Sequence, residues 1–184
     1  SDQTHPVNRY FFDAANELNF PSQNDYNQPP YEGAITYRIN TRNGRRNASS
    51  RAFLKPALRR SNLTLRVNAQ VDRIHFEENR AVAVSYIWRG KGHMVRAKTD
   101  IILSAGSIAS PTILQRSGIG DGHLLNQHGI APVVDNPNVG AHMQDHLGIN
   151  YYFKANQPTL NNVLHSWPGR IKLALQYALT RRGP

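Results

Sequence analysis

Residues 101–118 read Ile101-Ile102-Leu103-Ser104-Ala105-Gly106-Ser107-Ile108-Ala109-Ser110-Pro111-Thr112-Ile113-Leu114-Gln115-Arg116-Ser117-Gly118. The run Ile101 to Leu103 has no polar alternation, which is the pattern of a strand covered on both faces, as in a parallel sheet. Ala105, Gly106 and Ser107 are small, and the chain is expected to turn there. Ser110 then suits the N-cap of a helix and Pro111 its first position, where a missing N–H costs nothing. Ile113 and Leu114 supply the buried side, and Gly118 is a left-handed stop. Buried strand, small-residue turn and helix therefore follow in order.

Upstream, the apolar residues alternate. Leu63, Leu65 and Val67 share one face, Asp72, Ile74 and Phe76 continue the period, and Glu77 to Arg80 supply a turn. Val82, Val84, Tyr86 and Trp88 alternate again before a second turn at Arg89-Gly90-Lys91-Gly92, and Val95 and Ala97 lead out of a third run. This pattern predicts an antiparallel meander with one covered face. Nearer the N-terminus, Phe11, Ala14, Ala15 and Leu18 recur at helical spacing. Segment 21–33, rich in Pro, Asn and Asp, reads as loop. Asn47 and Ser49 are candidate caps of a helix that Pro56 interrupts, with a short continuation to Arg60.

Downstream, a short helix over His123 to Gln127 stops at Gly129 and leads to a strand-like Ile130 to Val134. Ile149, Tyr151 and Phe153 alternate as a strand. Ile171, Ala174, Leu175, Ala178 and Leu179 form the apolar stripe of a C-terminal helix. The fold class expected is α+β, an antiparallel meander joined to a buried strand and its helix.

The chain has 184 residues, 39% of them hydrophobic, and no cysteine. A complete domain of this size buries roughly 70% of its unfolded surface, so a real core is within reach. No apolar run approaches the about 20 residues needed to cross a bilayer, and no signal-peptide pattern appears at the N-terminus; the cytoplasm is the favoured compartment. Lack of cysteine excludes disulfides, thiolate metal sites and a thiol nucleophile. The net charge of +10 is unevenly spread. No acid occurs from Gly33 to Val71, where nine Arg/Lys occur, nor from Leu147 to Pro184, where there are five. Two readings follow: a surface for polyanions, or a piece of a larger protein whose acidic counterparts lie elsewhere.

Several residues have the chemistry for a site. The strand-turn-helix at Ile101 to Ser117 is the type of junction that binds anions, because orphan N–H groups and the dipole at a helix N-terminus favour phosphate; the competing reading is a small-residue turn kept for packing, as in many buried βα units. Gly118-Ile119-Gly120-Asp121-Gly122 is not a dinucleotide fingerprint, since it follows a helix and has His123 in place of the third glycine. His142 and His146 flank Asp145 at a spacing seen in two-histidine metal sites, but Gly140 and Gly148 argue for irregular chain. Ser104, Ser107 and Ser110 lack the setting of a hydrolase nucleophile. Phe53 is the only aromatic between Arg38 and Arg66, too few for a base-stacking surface.

The stretch from Gly106 to Gly120, with its small pair, Ser110-Pro111, Ile113-Leu114 and Ser117-Gly118-Ile119-Gly120, resembles the second signature of the glucose-methanol-choline (GMC) flavoprotein oxidoreductases. Gly44-Arg45-Arg46, Asn62-Leu63-Thr64-Leu65, Asn138-Val139-Gly140 and Gln144-Asp145-His146 follow the same family's order. The resemblance extends over nearly the whole chain and is closest to choline-dehydrogenase-like members. It implies FAD as cofactor and oxidation of a primary alcohol, choline-like or other, by hydride transfer to the flavin. Carried over by position, the backbone at Val71 would meet the adenine end, Ala105 and Gly106 the dinucleotide, and Asp145 and His146 the crossing between domains. By the same resemblance, residues 1–45 fall on the substrate-domain side, 46–145 in the FAD-binding domain and 146–184 at the start of the substrate-binding domain. The family's G-x-G-x-x-G and its catalytic histidine have no match here, so no catalytic residue is assigned. The expectation is a middle segment of a longer enzyme, partnered by its remaining N- and C-terminal parts and binding FAD weakly or not at all when isolated. The alternative is a basic, non-catalytic module for polyanions such as nucleic acid.

Overall fold

The structure, a computed structural model, describes residues 5–182. In chain order these form α1 (Asn8–Glu17), β1 (Ser22–Gln23), β2 (Ala34–Ile35), β3 (Thr41–Arg42), β4 (Arg45–Arg46) and a π-helical turn (Ser50–Leu54) that runs on as α2 (Lys55–Ala57). The strands β5 (Ala69–Glu77), β6 (Arg80–Trp88) and β7 (Lys91–Arg96) follow. Then come α3 (Gly106–Arg116), β8 (Ile119–Gly120), α4 (Gly122–Gln127), β9 (Val134–Asp135), α5 (Leu160–Leu164) and α6 (Trp167–Thr180). These make two compact units, residues 65–149 and residues 1–64 with 150–184. The helical segment around Ser50 lies in the same unit as the N-terminal residues.

In the unit of residues 65–149, β5, β6 and β7 pair antiparallel in sequence order, as their alternation predicts. Glu78, Arg89 and Gly90 take positive φ at the two tight turns. Register shifts lie between Val71 and Arg73 and between His75 and Phe76; such bulges increase twist and bend the strand. Tyr86 is buried beneath Arg66, whose guanidinium donates to the phenolic oxygen and lies over the Tyr86 and Trp88 rings. His93 stacks on Tyr86 with ring centroids 5.5 Å apart. Helix α3 packs against β5, and Ile74, Ala83, Ile113 and Leu125 complete the buried set. Asp121 caps α4 by accepting from the Leu124 N–H at 2.9 Å.

Three sequence expectations change in this unit. Leu63 to Val67 joins no sheet, and β5 begins only at Ala69. Ile101 to Ser104 joins no strand, and Ile102 is 88% exposed rather than buried. A parallel strand is held and covered by its neighbours, and no described strand lies beside this one. Of Ile130 to Val134, only Val134 enters a strand, in the two-residue parallel pair of β8 with β9.

Helix α3 also starts earlier than expected. Ala105 is its N-cap and Ser110 and Pro111 lie inside it. The Ser110 hydroxyl instead reaches back and accepts from the Ala105 N–H at 3.0 Å. Gly118 stops the helix at φ 88°, and its carbonyl accepts from the N–H groups of Val133 and Val134 at 2.7 and 3.1 Å.

In the other unit, α1 forms as its spacing predicts, and the loop of residues 21–33 is closed by the short parallel pair of β1 with β2. Asn43 and Gly44 both take positive φ and turn β3 into β4, the favoured chemistry of a two-residue hairpin. Pro56 does not interrupt its helix. The Lys55 N–H bonds the Ser50 carbonyl five residues back, and the widened turn passes the proline. No side chain caps this helix at Ser49. Ile149, Tyr151 and Phe153 form no strand among the described residues and are exposed, although the Tyr151 and Phe153 rings stack at 6.4 Å on one side of an extended chain.

Helix α6 is anchored to the hairpin by the Tyr177 hydroxyl, which donates to the Gly44 carbonyl at 2.8 Å. This contact turns the stripe of Ile171, Leu175 and Leu179 outward to solvent, while Gly169, Leu173 and Gln176 are half-buried. The periodicity located the apolar face correctly, but that face is not the one packed here.

A Cβ at Gly118 would lie 2.7 Å from the Ala131 carbonyl oxygen, in addition to the strain of its φ. At Gly90, φ 73°, it would meet nothing within 4 Å. Gly118→Ala is therefore expected to destabilise this unit by about 3 kcal/mol, against about 1 kcal/mol for Gly90→Ala. Urea unfolding followed by Trp88 fluorescence in a Trp167→Phe background measures both, and equal losses would show that the Ala131 contact is immaterial.

Candidate functional site

The turn between the Ile101–Ser104 segment and α3 has the properties of an anion cradle. Helix geometry leaves the N–H groups of Gly106, Ser107 and Ile108 without an intrahelical acceptor, and all three residues are exposed. The 11-residue helix adds the positive end of its dipole. Gly106 holds φ 90°, and an added Cβ would meet no atom within 4 Å. Its requirement for glycine is therefore one of backbone conformation and of what approaches it from outside, not of packing within the chain. The Ala105 N–H is already used by Ser110, which fixes the entry to the cradle.

The far end of the same helix is clamped to the meander. Ser117 Oγ accepts from the Ile74 N–H at 2.8 Å and donates to the Ile113 carbonyl at 2.6 Å. Arg116 bonds Asp72, which Arg73 also approaches at 3.3 Å. Partial desolvation pushes the Asp72 carboxyl up, but the hydrogen bond and charge of Arg116, with help from Arg73, outweigh it and hold Asp72 below the usual carboxylate range. Immediately before Arg116, Gln115 Nε2 donates to the Val139 carbonyl at 3.1 Å. The Asn136–Gly140 turn is thereby held to α3, and a Cβ at Gly140 would stand 2.6 Å from that nitrogen.

The sequence-derived residues fall into three places. Val71 lies half-buried in β5, opposite Tyr86 and beside a bulge. Ala105 and Gly106 form the helix entry. Asp145 and His146 lie in an exposed segment outside any helix or strand, after the clamped turn, where Asp145 Oδ1 accepts from the His146 N–H at 2.8 Å. Among the described residues, no hydrogen bond or ion pair joins these three places directly. Helix α3 connects them, through β5 on one side and through Gln115 on the other. His142 takes φ 56° in irregular chain, and no group of three or more potential metal-ligating side chains occurs among the described residues. None of the described helices is long and apolar enough to cross a membrane.

Sequence reasoning did not find Ser110, Asp72, Arg116 or Gln115 in these roles. Ser110 carried a cap signal, but read one turn too late. The other three act across 24 to 44 positions of sequence, where local spacing is silent.

The family of the chain follows from comparison with known proteins. The GMC oxidoreductase family matches residues 1–148. The chain is 38% identical over 180 residues to oxygen-dependent choline dehydrogenases of Vibrio vulnificus (strain YJ016) and Staphylococcus aureus (strain MSSA476), covering 97% and 98% of this chain and 32% of each relative. Among solved structures, an FAD-dependent oxidoreductase from Chaetomium thermophilum matches with a TM-score of 0.88 and 29% identity over 100% of this chain and 33% of its own. A pyridoxine 4-oxidase from Mesorbium loti matches with a TM-score of 0.67 and 33% identity over 74% of this chain and 27% of its own. The chain belongs to the GMC oxidoreductase family. It spans about a third of the length of these relatives.

The Asp72 clamp has a pH signature. A carboxyl depressed in the folded state contributes stability above its unfolded pKa of about 3.9, and that contribution is lost as pH falls through the folded value. Both partners are more than a third exposed, which limits the gain to about 1 kcal/mol. Arg116→Met is expected to lower stability at pH 6 by up to that amount and to converge with the parent chain in acid. Denaturation at a series of pH values tests this, and a difference that persists unchanged below the carboxyl range would remove Asp72 from the account.

Proposed function

We propose that this chain forms part of an FAD-dependent enzyme that oxidises a primary alcohol, with its own share of the cofactor site at the entry of α3. The observation that carries this reading is Gly106: a positive-φ glycine, open on its Cβ side, at the N-terminus of the helix that bears the family signature. Bare backbone there lets a dinucleotide approach the free N–H groups of Gly106 to Ile108. Ala105 completes the turn, Val71 presents backbone at the edge of the meander, and Asp145 and His146 line the crossing toward the substrate side. The bound flavin would supply the hydride acceptor, the alcohol carbon giving up a hydride and its hydroxyl a proton to leave a carbonyl. This chain's residues bind and orient; the proton acceptor is assigned to sequence that the longer relatives contain.

The residues of 1–64 and 150–184 belong, in this reading, to the substrate-binding side, and those of 65–149 to the flavin side. The remaining N- and C-terminal parts of the enzyme are the partners that cover the unpaired Ile101–Ser104 segment. A polyanion module is the weaker alternative, because the Gly106 cradle and the family match have no place in it.

Two measurements test the proposal. The 184-residue chain titrated with FAD is expected to give weak or no binding, while a polypeptide of the relatives' full length purifies yellow. In that longer protein Gly106→Val is expected to weaken FAD at least about tenfold by blocking the cradle, with Gly90→Val as the control that leaves it unchanged. A stoichiometric flavin in the isolated chain would overturn the division of the site, and an unaffected Gly106→Val enzyme would overturn the cradle.

A further inference from the structure

The side chain of Gln115 runs through a slot bordered by two glycines. A Cβ on Gly120 would lie 3.1 Å from its Cγ, and one on Gly140 would lie 2.6 Å from its Nε2. Both are closer than carbon-bearing groups normally pack, so the slot exists because neither residue has a side chain. At its end, Nε2 donates to the Val139 carbonyl at 3.1 Å. The other side of the same turn is tied as closely, for the Asn136 N–H donates to the Gly120 carbonyl at 2.8 Å. Inside the turn, Asn136 Oδ1 accepts from the Asn138 N–H at 3.1 Å and the Asn136 carbonyl from the Val139 N–H at 3.2 Å. Residues 115–120 of the signature stretch thus hold residues 136–140 at both ends.

Beyond Gly140 the chain is irregular. Residues 141–146 form no helix or strand. Their hydrogen bonds among the described residues are local, from the Ala141 N–H to the Asn138 carbonyl at 3.3 Å and from the His146 N–H to Asp145 Oδ1. Asp145 is five residues past Gly140, a length of chain that can span up to about 17 Å. Where Asp145 and His146 come to lie therefore depends on where the segment starts and in which direction. That start is set by Gly140 at φ 83° and by the Gln115 amide against it. The bond also has a chemical direction: a carbonyl only accepts, so position 115 must supply a donor as well as a shape. We propose that Gln115 is a positioning residue of the flavin site, which through Val139 sets the start of residues 141–146 and so places Asp145 and His146 relative to the entry of α3. What Asp145 and His146 meet rests on the flavin reading, whereas the brace is a property of this chain alone.

Two measurements separate the brace from the flavin. In the 184-residue chain, Gln115→Met keeps the length of the side chain but cannot donate. Hydrogen exchange followed by NMR is expected to show the Val139 and Ala141 N–H groups exchanging at least about threefold faster in this variant. The Ile74 N–H, held by Ser117, is expected to stay within about twofold of the parent. In a polypeptide of the relatives' full length, the same change is expected to weaken FAD about three- to tenfold and to move the visible absorption of the flavin at saturating FAD. Gln115→Glu turns an acceptor toward the Val139 carbonyl and is expected to lose at least as much as Gln115→Met; it carries the test if the Met variant misfolds. Gly90→Ala, a destabilising change at a remote turn, is the control expected to alter neither affinity nor absorption. Unchanged exchange at Val139 and Ala141 would overturn the brace whatever the flavin does, and an equal change at Ile74 would make Gln115 a structural residue only. Faster exchange with parental FAD affinity or absorption would overturn the positioning role and leave the flavin reading intact. A full-length parent that holds no FAD would overturn that reading and this role with it.

Discussion

The unit that carries the candidate site depends on how the open edge of β5 is satisfied. A strand at the end of a sheet exposes unpaired N–H and C=O groups, and here the last turn of α3 meets them. Ser117 does this with one hydroxyl, accepting from the Ile74 N–H and donating back to the Ile113 carbonyl of its own helix. Arg116 beside it fixes Asp72 on the same strand, and Gly118 then turns the chain so closely over residues 131–133 that no Cβ fits. Three consecutive residues thus set the position of the helix, and the helix sets where its N-terminus presents free N–H groups. The signature stretch is both the chemistry of the site and the fastening that aims it.

Much of this was legible in the sequence, and the exceptions share a cause. Local patterns located the three strands of the meander, α1, α4, α6 and the stop at Gly118, because each is decided by neighbours within a few residues. Elements whose structure depends on what lies beside them were misread. Ile101 to Leu103 has the composition of a covered strand, yet nothing described pairs with it. Ile171, Leu175 and Leu179 have the spacing of a buried stripe, yet Tyr177 turns the helix to hold the hairpin instead. The start of α3 was misplaced for a different reason. Ser110 and Pro111 make a strong N-terminal signal, but Gly106 supplies an earlier entry and Ser110 caps it from inside the helix. The Asn43-Gly44 hairpin was overlooked because its flanking residues are polar and give no alternation.

These departures bear on how the chain relates to its longer relatives. An apolar run or stripe marks a surface that sequence has prepared for burial, whether or not the burying element is at hand. In the unit of residues 1–64 and 150–184, Ala34 is the only buried hydrophobic residue among those described, while the other unit buries Ile74, Ala83, Tyr86, Ile113 and Leu125. The meander with α3 is closed by its own residues. The second unit is held mostly by turns, short strand pairs and the Tyr177 contact, and its apolar side chains face outward.

The same contrast appears in the electrostatics. A chain that is basic in order to hold a polyanion spreads cations over the whole binding face and leaves them unpaired there. In the unit of residues 65–149, by contrast, Asp72 meets Arg116 and Arg73, Glu77 meets Arg96 at 2.7 Å, and eight Lys/Arg stand against seven Asp/Glu. The excess belongs to the unit that also lacks a core. Arginines without a carboxylate partner and unburied apolar side chains thus occupy the same unit.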